Sequence, residues 1–206
     1  TKDNRSIYTT LGNSTKLFSS IKIDNQWAAT LGIDIDGDSE TPYLYPADEN
    51  ACTELVAYIT GSGKFAGRWL MGDILHSAPA VFEVFDKTKT QVQKNVIFVG
   101  ANDGMLHCIA DDLIKNTADE QWAYIPPELL PKLKNLPPPW DMSENIGTVA
   151  HDYYVDGSPI AYSASDGSGY VLFGLRRGGL GYYCLKFSTS ATAEGMMNAP
   201  ELAWSI

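Results

Sequence analysis

A chain of 206 residues with 44% hydrophobic and 11% aromatic side chains carries enough apolar material for one sizeable core, which excludes a disordered polypeptide. Its formal net charge of -10, from 25 acidic and 15 basic residues, repels phosphate backbones and argues against a nucleic-acid binder. No apolar run reaches the roughly 18–20 residues that a membrane-spanning helix needs; the polar start Thr1–Ile7 shows no signal peptide, which means little because the sequence reads as a piece of a longer one.

Residues 1–30 hold short apolar patches, Ile7-Tyr8 and Leu17-Phe18, that suit one or two strands. Next comes Asp34-Ile35-Asp36-Gly37-Asp38-Ser39-Glu40. Alternating carboxylates in a glycine-containing loop put several hard oxygens on one side, which is the chemistry of a calcium ligand set. The candidate ligands are Asp34, Asp36, Asp38 and Glu40. Glycine follows the second aspartate rather than the third, and Tyr45 stands at the twelfth position in place of a glutamate, so a plain solvated acidic turn stays open as the other reading. From Ala47 to Thr60 the spacing predicts a helix, with Asp48 able to cap it and Ala51, Leu55, Tyr58 and Ile59 on one face. Gly61-Ser62-Gly63 ends it.

From Trp69 onward the chain echoes itself. His76-Ser77-Ala78-Pro79-Ala80-Val81-Phe82, Asn95-Val96-Ile97-Phe98-Val99-Gly100, Gly104-Met105-Leu106-His107-Cys108 and Gln121-Trp122-Ala123-Tyr124 have counterparts later in the chain. These are Gly157-Ser158-Pro159-Ile160-Ala161-Tyr162, Gly169-Tyr170-Val171-Leu172-Phe173-Gly174, Gly181-Tyr182-Tyr183-Cys184-Leu185 and Leu202-Ala203-Trp204-Ser205. Pro79 and Pro159 are 80 residues apart, Gly100 and Gly174 are 74, Cys108 and Cys184 are 76, and Trp122 and Trp204 are 82. Each unit is four short β-rich runs broken by turn residues, a four-stranded antiparallel meander, and repetition of that unit is the signature of propeller blades. The predicted fold is all-β: a partial β-propeller of two four-stranded antiparallel blades, about 69–125 and 153–206, with short helical insertions. Residues 1–68 form an N-terminal segment with the acidic loop and one helix, and 126–152 an inserted surface cap that begins as a short helix over Pro127–Leu136. Ala101-Asn102-Asp103-Gly104 and Arg176-Arg177-Gly178-Gly179 occupy the same hairpin position in the two units. Trp122 and Trp204 are expected to cover the gaps between blades.

Enzymatic constellations are poor. His76, His107 and His151 are far apart, His76 has no evident acidic partner, and His107 reads as a hydrogen-bonded core residue. There is no nucleophile elbow, P-loop or dinucleotide fingerprint. Three cysteines, Cys52, Cys108 and Cys184, show no zinc spacing. The equivalent pair Cys108 and Cys184 allows either a cross-blade disulfide or two separately buried thiols.

Trp69-Leu70-Met71-Gly72-Asp73-Ile74-Leu75-His76-Ser77-Ala78-Pro79, Val99–His107, Trp122–Leu133, Val155-Asp156-Gly157-Ser158-Pro159 and Gly174–Tyr183 together resemble the propeller of the PilY/PilC family of type IV pilus tip adhesins. The resemblance covers about residues 50–188. It implies a non-enzymatic pilus assembly and adhesion factor, exported through the periplasm to the pilus tip or outer cell surface. It implies minor pilins and a host or abiotic surface as partners, and calcium as a modulator, although the family's calcium loop usually lies later in the chain than Asp34–Glu40. The competing resemblance is to quinoprotein dehydrogenases, through Val99-Gly100-Ala101-Asn102-Asp103-Gly104; it implies pyrroloquinoline quinone and calcium. The Pro126–Lys132 and Arg176–Tyr183 motifs favour the pilus family.

Overall fold

A computed structural model describes residues 5–33, 49–85, 88, 90–136, 151–165, 168–188 and 199–206. The candidate calcium ligands Asp34, Asp36, Asp38 and Glu40 lie outside the described residues, as does the capping residue Asp48. The strands are β1 (Ile7–Leu11), β2 (Ser14–Leu17), β3 (Ala80–Phe85), β4 (Val92–Gly100), β5 (Leu106–Asp112), β6 (Thr117–Ile125), β7 (Ile160–Ser163), β8 (Ser168–Gly174), β9 (Tyr182–Ser188) and β10 (Glu201–Ser205). Two α-helices, α1 (Asn25–Thr30) and α2 (Glu49–Thr60), precede β3, and a 3-10 helix, Pro127–Asn135, follows β6.

β3 to β6 form one meander and β7 to β10 the other, every neighbouring pair antiparallel. The fold is therefore the all-β partial propeller that the repeat predicts. Proline stands immediately before β3 and β7, at Pro79 and Pro159, where no ladder donor is needed. The first meander is wider than its sequence suggests. The β1–β2 hairpin extends it to six strands, in the order β2-β1-β6-β5-β4-β3, with β1 parallel to β6.

The two sheets pack face to face, and they do so with opposite faces. The first offers Phe82, Val96, Phe98, Cys108, Trp122 and Tyr124; the second offers Ala161, Val171, Phe173, Leu185 and Phe187. Phe187 sits 5.5 Å from Phe82 and 5.0 Å from Phe98, and Tyr124 meets Phe173 at 6.4 Å. Alternation explains the choice: in β8, Gly169, Val171 and Phe173 are buried while Tyr170 and Leu172 between them are not fully covered. Trp122 is fully buried in this interface, as expected. Trp204 is not: it lies on the far face of the second sheet, 45% exposed. Cys108 and Cys184 are separate buried thiols, and burial pushes the Cys108 thiol well up, so it is an inert core residue. The 3-10 helix, the described part of the expected surface cap, buries Leu129, Leu130 and Leu133 in the same core.

On the other face of the first sheet, four charged groups share one buried site. Arg5 grips Glu120 through two 2.7 Å contacts and donates to the carbonyl of Ile59 in α2 at 3.3 Å. His107, fully buried in β5, lies 2.7 Å from Glu120 and about 3.2 Å from Asp103. Burial alone would lower the His107 pKa, but the Asp103 and Glu120 carboxylates outweigh it and raise it from 6.5 to about 9. Burial would likewise raise Glu120, yet Arg5 and His107 hold it down at about 2, from 4.5. The core histidine expected from the sequence is thus a charged one.

The raised His107 pKa contributes stability below pH 6.5 that is lost as pH rises through about 9. The depressed Glu120 pKa contributes stability above pH 4.5 that is lost as pH falls through about 2. Melting temperature is therefore expected to be highest between these limits and to decline on either side. In His107→Gln the decline between pH 6.5 and 9 disappears, which thermal melts across that range will read.

Candidate functional site

At one end of the sheets, the segments that lead into β3 and β7 run side by side. His76 Nδ1 lies 2.8 Å from Asp156 Oδ1, Ser77 Oγ donates to the carbonyl of Gly157 at 3.0 Å, and Ala78 N–H donates to Ser158 Oγ at 3.0 Å. Each pair is separated by 80 residues, the same interval as Pro79 and Pro159. Equivalent positions of the two repeats therefore touch each other, as they must when two blades stand next to one another with the same orientation.

The His76 contact corrects the sequence reading, which found no acidic partner for it. Asp156 is that partner. Its side chain is 1% exposed and also receives Arg176 Nη1 at 3.4 Å. The signal was available, because blades placed side by side bring residue n next to residue n+80, and His76 plus 80 is Asp156.

The hairpin loops of both repeats complete this seam. Asn102 N–H donates to the Asp73 carbonyl, Tyr154 N–H to Asn102 Oδ1, Val155 N–H to the Ala101 carbonyl and Asp156 N–H to the Leu175 carbonyl. Gly104 takes the left-handed conformation, φ 96°, that the first turn requires. In the second loop the left-handed residue is Arg176 itself, φ 53°. Gly178 is needed there for a different reason: a Cβ would overlap the Tyr154 carbonyl. Glu128, from the 3-10 helix, accepts the N–H groups of Leu180 and Gly181 at 3.1 Å each, and Lys132 reaches the Tyr153 carbonyl at 2.6 Å.

Tyr153 is the outer hub. Arg177 lies over its ring at 5.2 Å and donates to its hydroxyl at 3.1 Å, while His151 meets the ring edge at 5.1 Å and His76 lies 6.0 Å away. His151 also pairs with Asp73 at 3.0 Å. Burial would raise the Asp73 pKa, and hydrogen bonds from His151 and Asn102 lower it below the usual carboxylate range.

The chemistry of this cluster is that of a clasp. The hydroxyls of Ser77 and Ser158, close in sequence to the His76–Asp156 pair, are already committed. Ser77 Oγ donates to Gly157 and accepts from Gly100 N–H at 2.9 Å, and Ser158 Oγ accepts from Ala78. A hydroxyl bound on both sides to backbone is positioned to hold two segments together, not to attack a substrate. Among the described residues, no group of three or more His, Cys, Asp or Glu is placed to hold a metal ion, and no helix is long and apolar enough to cross a membrane.

Ser77→Ala leaves the buried Gly100 N–H and the Gly157 carbonyl without their partner and is expected to lower unfolding free energy by about 1–3 kcal/mol. Ser158→Ala, on the exposed side of the same seam, is expected to cost less than half of that. Urea unfolding of the two variants measures the difference.

The residues that meet here are distributed from Asp73 to Gly181. The family model described as the PilY1 beta-propeller domain matches residues 69–206. The type IV pilus biogenesis factor PilY1 of Pseudomonas aeruginosa strain PAO1 is 30% identical over 164 residues, covering 66% of this chain and 13% of that protein. A PilY1 homolog from Xylella fastidiosa is 40% identical over 94 residues, covering 44% of this chain and 7% of its own length. The chain thus spans a small part of the curated relatives it matches. No solved structure matches it. With a family model that matches residues 69–206, most of its length, the chain belongs to the PilY1 β-propeller domain family.

Proposed function

We propose that this chain is part of the propeller of a type IV pilus assembly and adhesion factor that acts without catalysing a reaction. The observation that supports the reading best is the match over residues 69–206 to a propeller family whose curated relatives are named type IV pilus biogenesis factors. In this reading the protein is exported through the periplasm and stands at the pilus tip or outer cell surface. Its partners are minor pilins and a host or abiotic surface. The committed hydroxyls and backbone-paired loops at the seam suit a rigid platform, because a platform needs fixed loops more than a reactive group.

Calcium enters this proposal through the chemistry of the acidic loop. Asp34, Asp36, Asp38 and Glu40 supply alternating oxygens that suit a hard divalent cation. The cation would neutralise part of the -10 charge and fix the loop that precedes α2.

Two measurements test the two parts separately. Calcium is expected to raise the melting temperature of the chain reversibly, and Asp36→Asn to remove at least half of that rise; a melting curve unaffected by calcium or chelator contradicts the calcium part alone. The immobilised protein is expected to retain minor pilins from a purified mixture. Failure to retain them, together with dye reduction in the presence of an alcohol and quinone, would replace the assembly role by an oxidoreductase one.

A further inference from the structure

Gly100 and Gly174 align the turn between β4 and β5 with the turn between β8 and β9, so that Arg176-Arg177 fall on Asn102-Asp103. The two pairs are put to different uses. Asn102 and Asp103 serve the fold. Asn102 Nδ2 donates to Asp73 Oδ2 at 3.1 Å and its Oδ1 accepts from Tyr154 N–H, while Asp103 accepts from Gly72 N–H and meets His107. Arg176 and Arg177 are both exposed, on a turn that runs to seven residues, 175–181, against five, 101–105. Arg176 reaches Asp156 through a single 3.4 Å contact. Arg177 lies over the Tyr153 ring and donates to its hydroxyl, and among the described residues it meets no carboxylate.

Exposed arginines and single exposed leucines are ordinary on a protein surface, and each alone would say nothing. This turn adds two features. Arg176 holds a φ of 53°, which strains any residue with a Cβ; glycine would relieve the strain and lose the guanidinium. Leu180, 92% exposed, is fixed outward, because Glu128 accepts the N–H groups of Leu180 and Gly181. Across the His76–Asp156 pair, Ile74 and Leu75 are exposed as well. The carboxylates around this surface are engaged: Asp156 by His76 and Arg176, Asp73 by His151, Asp152 by Lys132, and Glu128 by the turn itself. Two guanidinium groups therefore stand out between apolar side chains on a rigid loop.

We propose that this loop end is a docking site for an extended acidic segment of a partner protein, whose carboxylates meet Arg176 and Arg177 and whose aliphatic side chains cover Leu180 and the Ile74–Leu75 pair. Arginine suits the task because its planar fork binds a carboxylate through two parallel hydrogen bonds. A guanidinium already stacked on tyrosine also loses little freedom when the partner arrives. Charge fixes the place: a chain of net charge -10 repels an acidic segment as a whole and attracts it where the two arginines project. The apolar side chains select a protein partner over a bare polyanion, which has nothing to lay on Leu180. This docking site rests on the reading of the chain as a partner-holding platform, and adds to it the partner's chemistry and the place where it binds.

Fluorescence anisotropy tests it, with a labelled peptide of alternating aspartate and leucine as the probe. Peptides alternating lysine with leucine, and aspartate with serine, are the controls. The aspartate–leucine peptide is expected to bind at least tenfold more tightly than either control. Arg177→Gln is expected to weaken it about tenfold or more, and Arg177→Lys to recover part of that loss. Leu180→Ser, on an exposed loop, is expected to keep the wild-type melting curve and weaken the peptide about fivefold. No binding of the probe, or equal binding of the lysine–leucine peptide, overturns the proposal, as does binding that both substitutions leave unchanged. Arg177-dependent binding of phosphatidylglycerol vesicles without peptide binding overturns it in favour of an anionic lipid surface. Retention of minor pilins by a chain that binds no peptide overturns this site and leaves the assembly role standing. Peptide binding without retention of minor pilins supports the site and removes the pilin as its partner.

Discussion

Neither sheet can stand alone in water, because the face that each turns toward the other is aromatic and aliphatic. The interaction on which the rest depends is the stacking of the second sheet on the first, with Phe187 wedged between Phe82 and Phe98. Burial of large aromatic side chains of this kind is worth several kcal/mol per residue, far more than any single hydrogen bond at the seam. The stacking fixes the distance between the sheets. The hydrogen bonds at the loop end then fix their relative position along the strands, since a slip by one residue would unpair His76, Ser77 and Ala78 together.

The opposite side of the first sheet is closed by different means. Where the second sheet covers apolar residues, α2 and the N-terminal arm meet a charged site in which Arg5, His107, Glu120 and Asp103 neutralise one another. Asp103 also accepts the Gly72 N–H, so this site reaches the segment that leads into the seam. Charge pairing on one face and aromatic packing on the other give the first sheet two unlike sides.

Much of this was legible in the sequence, for local reasons. The strands of both meanders follow from alternating apolar residues between turn residues, and α2 from apolar positions at helical spacing closed by Gly61. The equivalence of the two units was readable from Pro79 and Pro159, Cys108 and Cys184, and Trp122 and Trp204. What escaped was non-local. The parallel pairing of β1 with β6 joins residues 116 apart and the Arg5–Glu120 bond residues 115 apart, and nothing in either segment announces the other. Trp204 shares its repeat position with Trp122 but not its burial, because burial depends on the neighbouring sheet and not on the strand that carries the residue. The charged state of His107 depends on Asp103 in the adjoining hairpin and on Glu120, thirteen residues away, which arrives across the β5–β6 pairing. The candidate calcium ligands Asp34, Asp36, Asp38 and Glu40 rest on their chemistry and lie outside the described residues.

In the proposed assembly role such a frame would be an advantage, since loops fixed by backbone hydrogen bonds present the same surface at every encounter. The two repeats stand side by side at the seam, with His76, Ser77 and Ala78 against Asp156, Gly157 and Ser158. The most direct measurement is cross-linking of Ala78→Cys with Ser158→Cys by a short bismaleimide. Intramolecular cross-linking in high yield is predicted for this pair, and little for Ala78→Cys with Ser163→Cys, whose partner lies roughly 17 Å further along β7. Equal yields for the two pairs, or a cross-link only between separate molecules, would contradict the side-by-side register.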